Sequence, residues 1–436
     1  MHRPAVFAAI LLGFSGMVHA QGVQQETSDA KLQATYVWQQ KRPFGAAYSG
    51  PNSLSTDLEK SYSFTATAAL GTRIWSGGEL YFDPEIAQGV ALSHLAGLGG
   101  FTNGEIARTS GPTPSLYRAR LFVRQSWGLG GGNLGLESEA NQLAGNVDRR
   151  RLVLTAGNLS VLDLFDGNAY SHDPRTQFLN WSLMTYGAYD FAADARGYSW
   201  GAALEYFYDD WALRGGRFMM PKQSNGLPLN PRIFASFGDQ IELEHAHELG
   251  GRAGRLRLLA FRNQADMGGF RDSIAEADAT GTTPDLAATR QKRVKYGFGV
   301  NLEQSLAAAA GVFARASWNN GQAETFAFTE IDRSVSAGVS IEGAGWNRPA
   351  DSVGAALVRN ALSAAHRDYL AAGGLGFFLG DGALNYRPES IFETYYSFAL
   401  ARDTWVSADF QRIFNPGYNA DRGPVSVVSA RLHYGF

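Results

Sequence analysis

The sequence predicts an all-β fold: a transmembrane antiparallel β-barrel of about sixteen strands, with short periplasmic turns and long extracellular loops. Three observations carry this. The chain opens on a segment with the form of a secretory signal. Beyond it, no apolar run approaches the roughly twenty residues that a membrane helix needs. Segments of about ten residues instead alternate apolar and polar side chains between turn residues, the pattern of strands with lipid on one side and water on the other.

The first segment is "MHRPAVFAAILLGFSGMVHA", with His2 and Arg3, an apolar run over 5–14 and a small-residue site that places cleavage after Ala20. Residues 21–60 read as an N-terminal periplasmic extension or plug, and 61–436 as a single barrel domain; whether 33–40 is a strand stays open. An exported chain with no cysteine depends on no disulfide and has no thiolate metal site. A net charge of -3 leaves no basic excess for nucleic acid.

The last strand is the plainest. In "VSVVSARLHYGF", Val428, Ala430, Leu432, Tyr434 and Phe436 share one face, and Ser429, Arg431 and His433 the other. "TWVSADFQRIF", "IFETYYSFAL", "SVSAGVSIEG", "KYGFGVNLE" and "YSWGAALEY" repeat the pattern, with charges on one face apart from Arg412 near a strand end. The expected strands start near residues 62, 73, 116, 133, 150, 198, 211, 240, 255, 294, 311, 333, 352, 391, 404 and 425. If Phe436 ends in the periplasm, the short turns at 209–210, 248–254 and 401–403 fall on that side. The long connections near 158–197, 221–239, 264–293, 361–390 and 413–424 then fall outside. A tight outer turn at Gly71-Thr72 and a long inner segment over 83–115 fit this scheme poorly. A closed barrel has no free edge, so the last strand pairs with the first and the terminal aromatic joins an interfacial girdle. A helix is expected within 361–372, before Gly373-Gly374.

Several loop motifs are more specific than alternation: "ATYVWQQKRPFGAAYSGPNSL", "GGELYFDPEIAQG", "GFTNGE", "ARLFVRQSWGLGGG", "LDLFDGNAYSHDPRTQFLNWSL", "RDYLAAGGLGFFLGDGALNYRPESIFETYY" and "FNPGYNADRGPV". On these stretches the chain resembles the carbohydrate-selective porin (OprB) family of Gram-negative outer membranes, from about residue 34 to the end. The resemblance implies a sixteen-stranded barrel that passes mono- and small oligosaccharides down their gradient, with no cofactor. It also allows a homotrimer. Outer-membrane lipid and lipopolysaccharide are expected partners. The barrel-assembly machinery is another, through the C-terminal strand ending in Phe436.

A sugar pore needs no catalyst. It needs donors and acceptors that replace part of the solute's water shell, and aromatic faces for its C–H surface. Strand parity puts Arg118, Arg120 and Arg124 inside, opposite Ala119, Leu121 and Val123, and puts Arg315 inside on a later strand. Glu137, Glu139, Glu205, Glu244, Glu393 and Asp409 are the matching acids among the candidate pore-lining residues, with Tyr395 as an aromatic and Arg431 on the last strand. Glu242 shares this acidic set; Trp38, Trp75 and Trp127 are sugar platforms or girdle residues. The bland alternative is a solvated wall of Arg–Glu ladders. At least one outer loop is expected to fold inward.

Other readings are weaker. "GGGNLG" meets a dinucleotide-binding spacing but fits a Gly-rich turn better. His245 and His247 lie on the opposite face from Glu244 and Glu248, so no metal site is expected. No G-x-S-x-G elbow is present, which weighs against a barrel enzyme. The alternative among channels is a general or small-anion porin without sugar selectivity.

Overall fold

The computed structural model describes residues 23–106 and 108–436; the expected signal and its cleavage site lie outside them. The chain has strands β1 (Ser28–Lys41), β2 (Glu59–Trp75), β3 (Gly78–Val90), β4 (Ser115–Gly128), β5 (Asn133–Leu136), β6 (Gly145–Asp148), β7 (Arg151–Leu159), β8 (Ser199–Tyr208) and β9 (Trp211–Met219). The second half carries β10 (Phe237–Leu249), β11 (Arg252–Met267), β12 (Gln291–Ala307), β13 (Ala310–Asn319), β14 (Arg333–Glu342), β15 (Ser352–Ala361), β16 (Glu389–Ala401), β17 (Thr404–Phe414) and β18 (Val425–Gly435). All but β5 and β6 form one closed antiparallel barrel of sixteen strands, while β5 and β6 pair only with each other.

Closure joins β18 to β1, from Gln33↔Gly435 to Lys41↔Val427. Phe436 and Leu32 exchange two backbone hydrogen bonds of 3.0 Å, which ties down the chain's last residue. An unpaired backbone group in hydrocarbon costs several kcal/mol, so the seam must be fully hydrogen-bonded.

Three expectations change. The barrel begins at Ser28, so 21–60 is not a periplasmic extension: it supplies the closing strand and the first outer loop. The segment at 133 is not a wall strand but half of the small β5–β6 hairpin. β2 runs without a turn through Gly71-Thr72 to Trp75, and the turn sits at Ser76-Gly77, where Gly77 has φ 72°. The count of sixteen therefore survives because one strand was missed and one overcounted. With β2 and β3 placed, 91–114 becomes an outer loop.

The alternation holds where it was clearest. Leu357, Val335, Phe298 and Leu432 are exposed on the outer face, whereas Asn360, Ser336, Asn301 and Arg431 are buried inside. The long connections that follow β1, β3, β7, β9, β11, β13, β15 and β17 leave from one end, the extracellular end by the rule for such barrels, whereas the connection over 129–150, which carries β5 and β6, leaves from the other. The expected helix is α2 (Ala364–Ala371), capped by the Ser363 hydroxyl accepting from the His366 amide at 3.1 Å. An earlier helix, α1 (Phe270–Thr280), lies in the outer loop between β11 and β12, and the two pack together through Phe270, Tyr369 and His366.

The lumen is largely filled from the extracellular end. Loops 91–114, 160–198 and 320–332 bring Phe101, Trp181, Phe191, Phe326 and Phe328 into one buried cluster inside the barrel. Trp181 stacks on Phe328 with centroids 4.6 Å apart. Burying aromatic side chains is strongly favourable, and these have no other core to join. From the periplasmic end the β5–β6 hairpin folds up as well: Leu143 packs in the same cluster as Tyr81 and Phe122, and its amide donates to the Tyr81 hydroxyl at 3.2 Å.

Candidate pore lining

Inward side chains on β3 and β4 form a column that runs from the loop end toward the turn end. At the top, Arg175 of loop 160–198 meets Glu105 at 2.8 Å and Glu85 at 3.4 Å, and the Tyr117 hydroxyl donates to Glu85. Below it, Arg120 forks onto Asp163 with two 2.7 Å bonds and reaches Asp83 at 3.3 Å. Lower still, Arg124 lies over the Tyr81 ring at 5.2 Å and 3.9 Å from Glu79, which also pairs with Arg73 at 2.6 Å. The side chains of Arg175, Arg120 and Arg124 keep 25%, 17% and 20% of their surface open. They are held in place without being sealed off. Burial works against the Arg175 charge, but Glu105 and Glu85 outweigh it and hold its pKa above the usual arginine value.

A second charged band crosses five strands. Arg214 on β9 contacts Glu205 on β8 at 2.9 Å, and Glu242 and Glu244 on β10 at 3.1 and 3.2 Å. Arg257 on β11 continues it to Glu244 at 2.7 Å and to Glu303 on β12 at 3.3 Å. Loop 160–198 rests on this band: the Asp166 amide donates to Glu242 at 2.8 Å and the Ala169 amide to Glu303 at 2.7 Å.

The remaining wall, β13 to β18, is covered. Arg315 is almost fully buried; it pairs with Asp166 at 2.9 Å and donates to the Leu183 carbonyl at 2.8 Å. Glu393 accepts the amides of Leu179 and Asn180, the second at 3.0 Å. Arg431 donates to the carbonyls of Pro174 and Gln177 at 2.6 and 2.7 Å. Asp409 accepts from Gln411 and Ser429 at 3.3 Å, and Tyr395 is buried edge-on against Phe178 at 5.0 Å.

The candidate residues thus separate. Arg120 and Arg124 line the open column, and Glu205 and Glu244 belong to the second band. Arg315, Glu393, Tyr395 and Arg431 point inward as expected but meet the inward loop rather than open lumen, and Asp409 is buried against its wall neighbours Gln411 and Ser429. Glu137 and Glu139 sit on the connection between β5 and β6, not on the wall, and Glu139 pairs back to Gln142.

Arg118 does not point inward. A bulge skips Ala119 between the pairs Asp83↔Arg120 and Pro84↔Arg118, so parity reverses across it. Ala119 is buried, and Arg118 lies outside over the ring of outward-facing Trp200 at 5.1 Å. Trp127 and Trp75 are exposed at the turn end, where girdle residues lie. Sequence reasoning overlooked Arg175, Tyr117 and Asp163; Arg175 and Asp163 lie within "LDLFDGNAYSHDPRTQFLNWSL", a motif already conspicuous for its irregularity.

Comparison with known proteins adds an independent finding. The model of the family described as "Carbohydrate-selective porin, OprB family" matches residues 52–436. Among solved structures, the high-pH structure of Pseudomonas putida OprB is similar with a TM-score of 0.72 at 15% identity, covering 94% of each chain. The Pseudomonas aeruginosa OccK2 (OpdF) structure has a TM-score of 0.47 at 11% identity, covering 95% of this chain and 99% of that one. No curated protein matches by sequence.

Proposed function

The chain belongs to the carbohydrate-selective porin OprB family, and from that premise we propose that it is a passive, selective diffusion channel for mono- and small oligosaccharides. Family and fold are those of outer-membrane channels rather than enzymes. The column of Arg175, Arg120 and Arg124 supports the finer reading. Each guanidinium offers several fixed donors, and each stands beside a carboxylate acceptor. A sugar's hydroxyls can exchange water for these groups step by step, while tyrosine rings face its C–H surface. Because the arginines are already paired, each contact replaces an existing one. Binding stays weak and release fast, as conduction requires.

Arg120 and Arg124 act as sugar contacts, with Glu205 and Glu244 as a second polar wall. Arg315, Glu393, Tyr395 and Arg431 set the bore by holding the inward loop. The C-terminal strand is the recognition element for the assembly machinery, outer-membrane lipid and lipopolysaccharide surround the barrel, and three copies associate in the membrane.

Liposome swelling tests the central part. Purified protein should admit glucose faster than amino acids of similar size and faster than small anions. Equal rates would make this a general porin, and faster anions an anion channel.

A further inference from the structure

Near the loop end, β4 lacks a strand partner on one side. β4 pairs with β3 from Ser115 onward but with β7 only from Leu121 to Gly128. Residues 115–120 therefore have no strand on their β7 side, because the chain leaves β7 at Leu159 and turns inward as loop 160–198. A cavity of about 320 Å³ lies in this gap. Arg118 and Trp200 enter it from the outer face, Tyr198 from the inner side, Arg196 from the end of the inward loop, and Leu227 and Leu229 from the next outer loop.

Its lining holds two arginines against one acid, and neither arginine is ion-paired among the described residues. Arg118 is held only by its stack on Trp200, and Arg196 lies over the Tyr117 ring at 4.5 Å with its Nε buried and without a hydrogen-bond partner. The one acid in the lining, Asp194, is turned to the backbone: it accepts from the Arg196 amide at 2.9 Å and the Tyr198 amide at 3.2 Å. Asn158 is likewise engaged, donating to the Ala119 carbonyl at 2.7 Å. The outward arginines on the neighbouring strands differ, since Arg217 and Arg262 share Asp239 at 2.6 and 2.8 Å.

We propose that this gap binds the phosphate-bearing headgroup of an outer-leaflet glycolipid, with Arg118 and Arg196 as the phosphate ligands. Arg118 is the fourth residue of β4 and Trp200 the second of β8, so the site lies at the extracellular rim, where tryptophan marks the membrane interface. Two guanidiniums match a phosphate's oxygens. Basic pockets at headgroup depth are how membrane proteins hold specific anionic lipids. Leu227, Leu229 and the Trp200 face would meet the sugar carbons and the first acyl methylenes. An occupant also closes the break in the wall beside the Arg120–Tyr198 contact.

The test is native mass spectrometry of the detergent-solubilised protein titrated with a bis-phosphorylated diglucosamine lipid, its dephosphorylated form, and inorganic phosphate. One phosphorylated lipid should remain on each barrel, the dephosphorylated lipid should be lost, and Arg118→Ala and Arg196→Ala should each weaken retention about tenfold. Arg118→Ala should leave glucose swelling unchanged and still migrate as a folded barrel before heating. Equal retention in the variants, equal retention of the dephosphorylated lipid, or occupancy by inorganic phosphate without the lipid would each overturn the proposal.

Discussion

Arg315 and Arg120 come from the same reading of strand parity, and both point into the barrel, yet they sit in opposite situations. Arg315 is sealed beneath loop 160–198 with 2% of its side chain exposed, against Asp166 with none. Arg120 keeps 17% of its side chain open and pairs with Asp163, itself 27% open. On the proposed function, the first arginine sets the shape of the lumen and the second meets the passing solute. Inward charges in this filled barrel then have two separable roles, which exposure beneath the inward loop distinguishes.

The largest contrast comes from removing Arg315. Arg315→Ala leaves the buried Asp166 carboxylate without a cation, although Asn301, Thr185 and the Tyr186 amide still donate to it, and breaking a buried pair in this way costs about 3–5 kcal/mol. The loop should detach while the hydrogen-bonded barrel stays closed. Planar-bilayer recordings should show higher conductance and passage of longer oligosaccharides, with folded migration retained. A variant of unchanged conductance would remove Arg315 as an anchor. Glu393→Ala should act in the same direction and to a similar extent, since it orphans the Leu179 and Asn180 amides at about 1–3 kcal/mol per buried group. Protease cleavage within 160–198 from the outside should rise in both variants.

On the other side of the comparison, Arg120→Ala should leave conductance and loop protection nearly intact. Glucose swelling should fall about fivefold, equivalent to about 1 kcal/mol. If it instead opened the pore as Arg315→Ala does, the two roles would merge. Glu137→Gln should be the smallest effect, within about 0.5 kcal/mol in stability and without a change in flux, because Glu137 lies off the wall.

What the sequence made legible follows from the same physics. Alternation reports only which side of a strand is greasy, so the outer face and the polarity of the two ends were readable from "TWVSADFQRIF" or "KYGFGVNLE". It cannot report a bulge, and one skipped residue at Ala119 moved Arg118 from the lumen to the outer wall. Nor can it separate a wall strand from a local hairpin: "NLGL" at β5 alternates as the wall does, but it pairs locally, Asn133 with Asp148 and Leu136 with Gly145, rather than with a wall strand. β1 was obscured for a different reason. One partner, β2, lies across the outer loop 42–58 and the other, β18, at the far end of the chain, so no tight turn in the sequence announces it. The covering of Arg315, Glu393 and Arg431 depends on where an irregular loop of about forty residues comes to rest, which no periodicity encodes.

The chain has no cysteine, so single introduced thiols are unambiguous reporters. In intact outer membranes, a charged, membrane-impermeant thiol reagent should modify Cys at position 120, slow glucose flux, and be slowed in turn by high glucose. It should not reach Ser336→Cys, buried on the covered wall beside Arg315, or Leu357→Cys on the outer face. Modification at 357, or labelling at 120 that glucose leaves untouched, would contradict a sugar path along the arginine column.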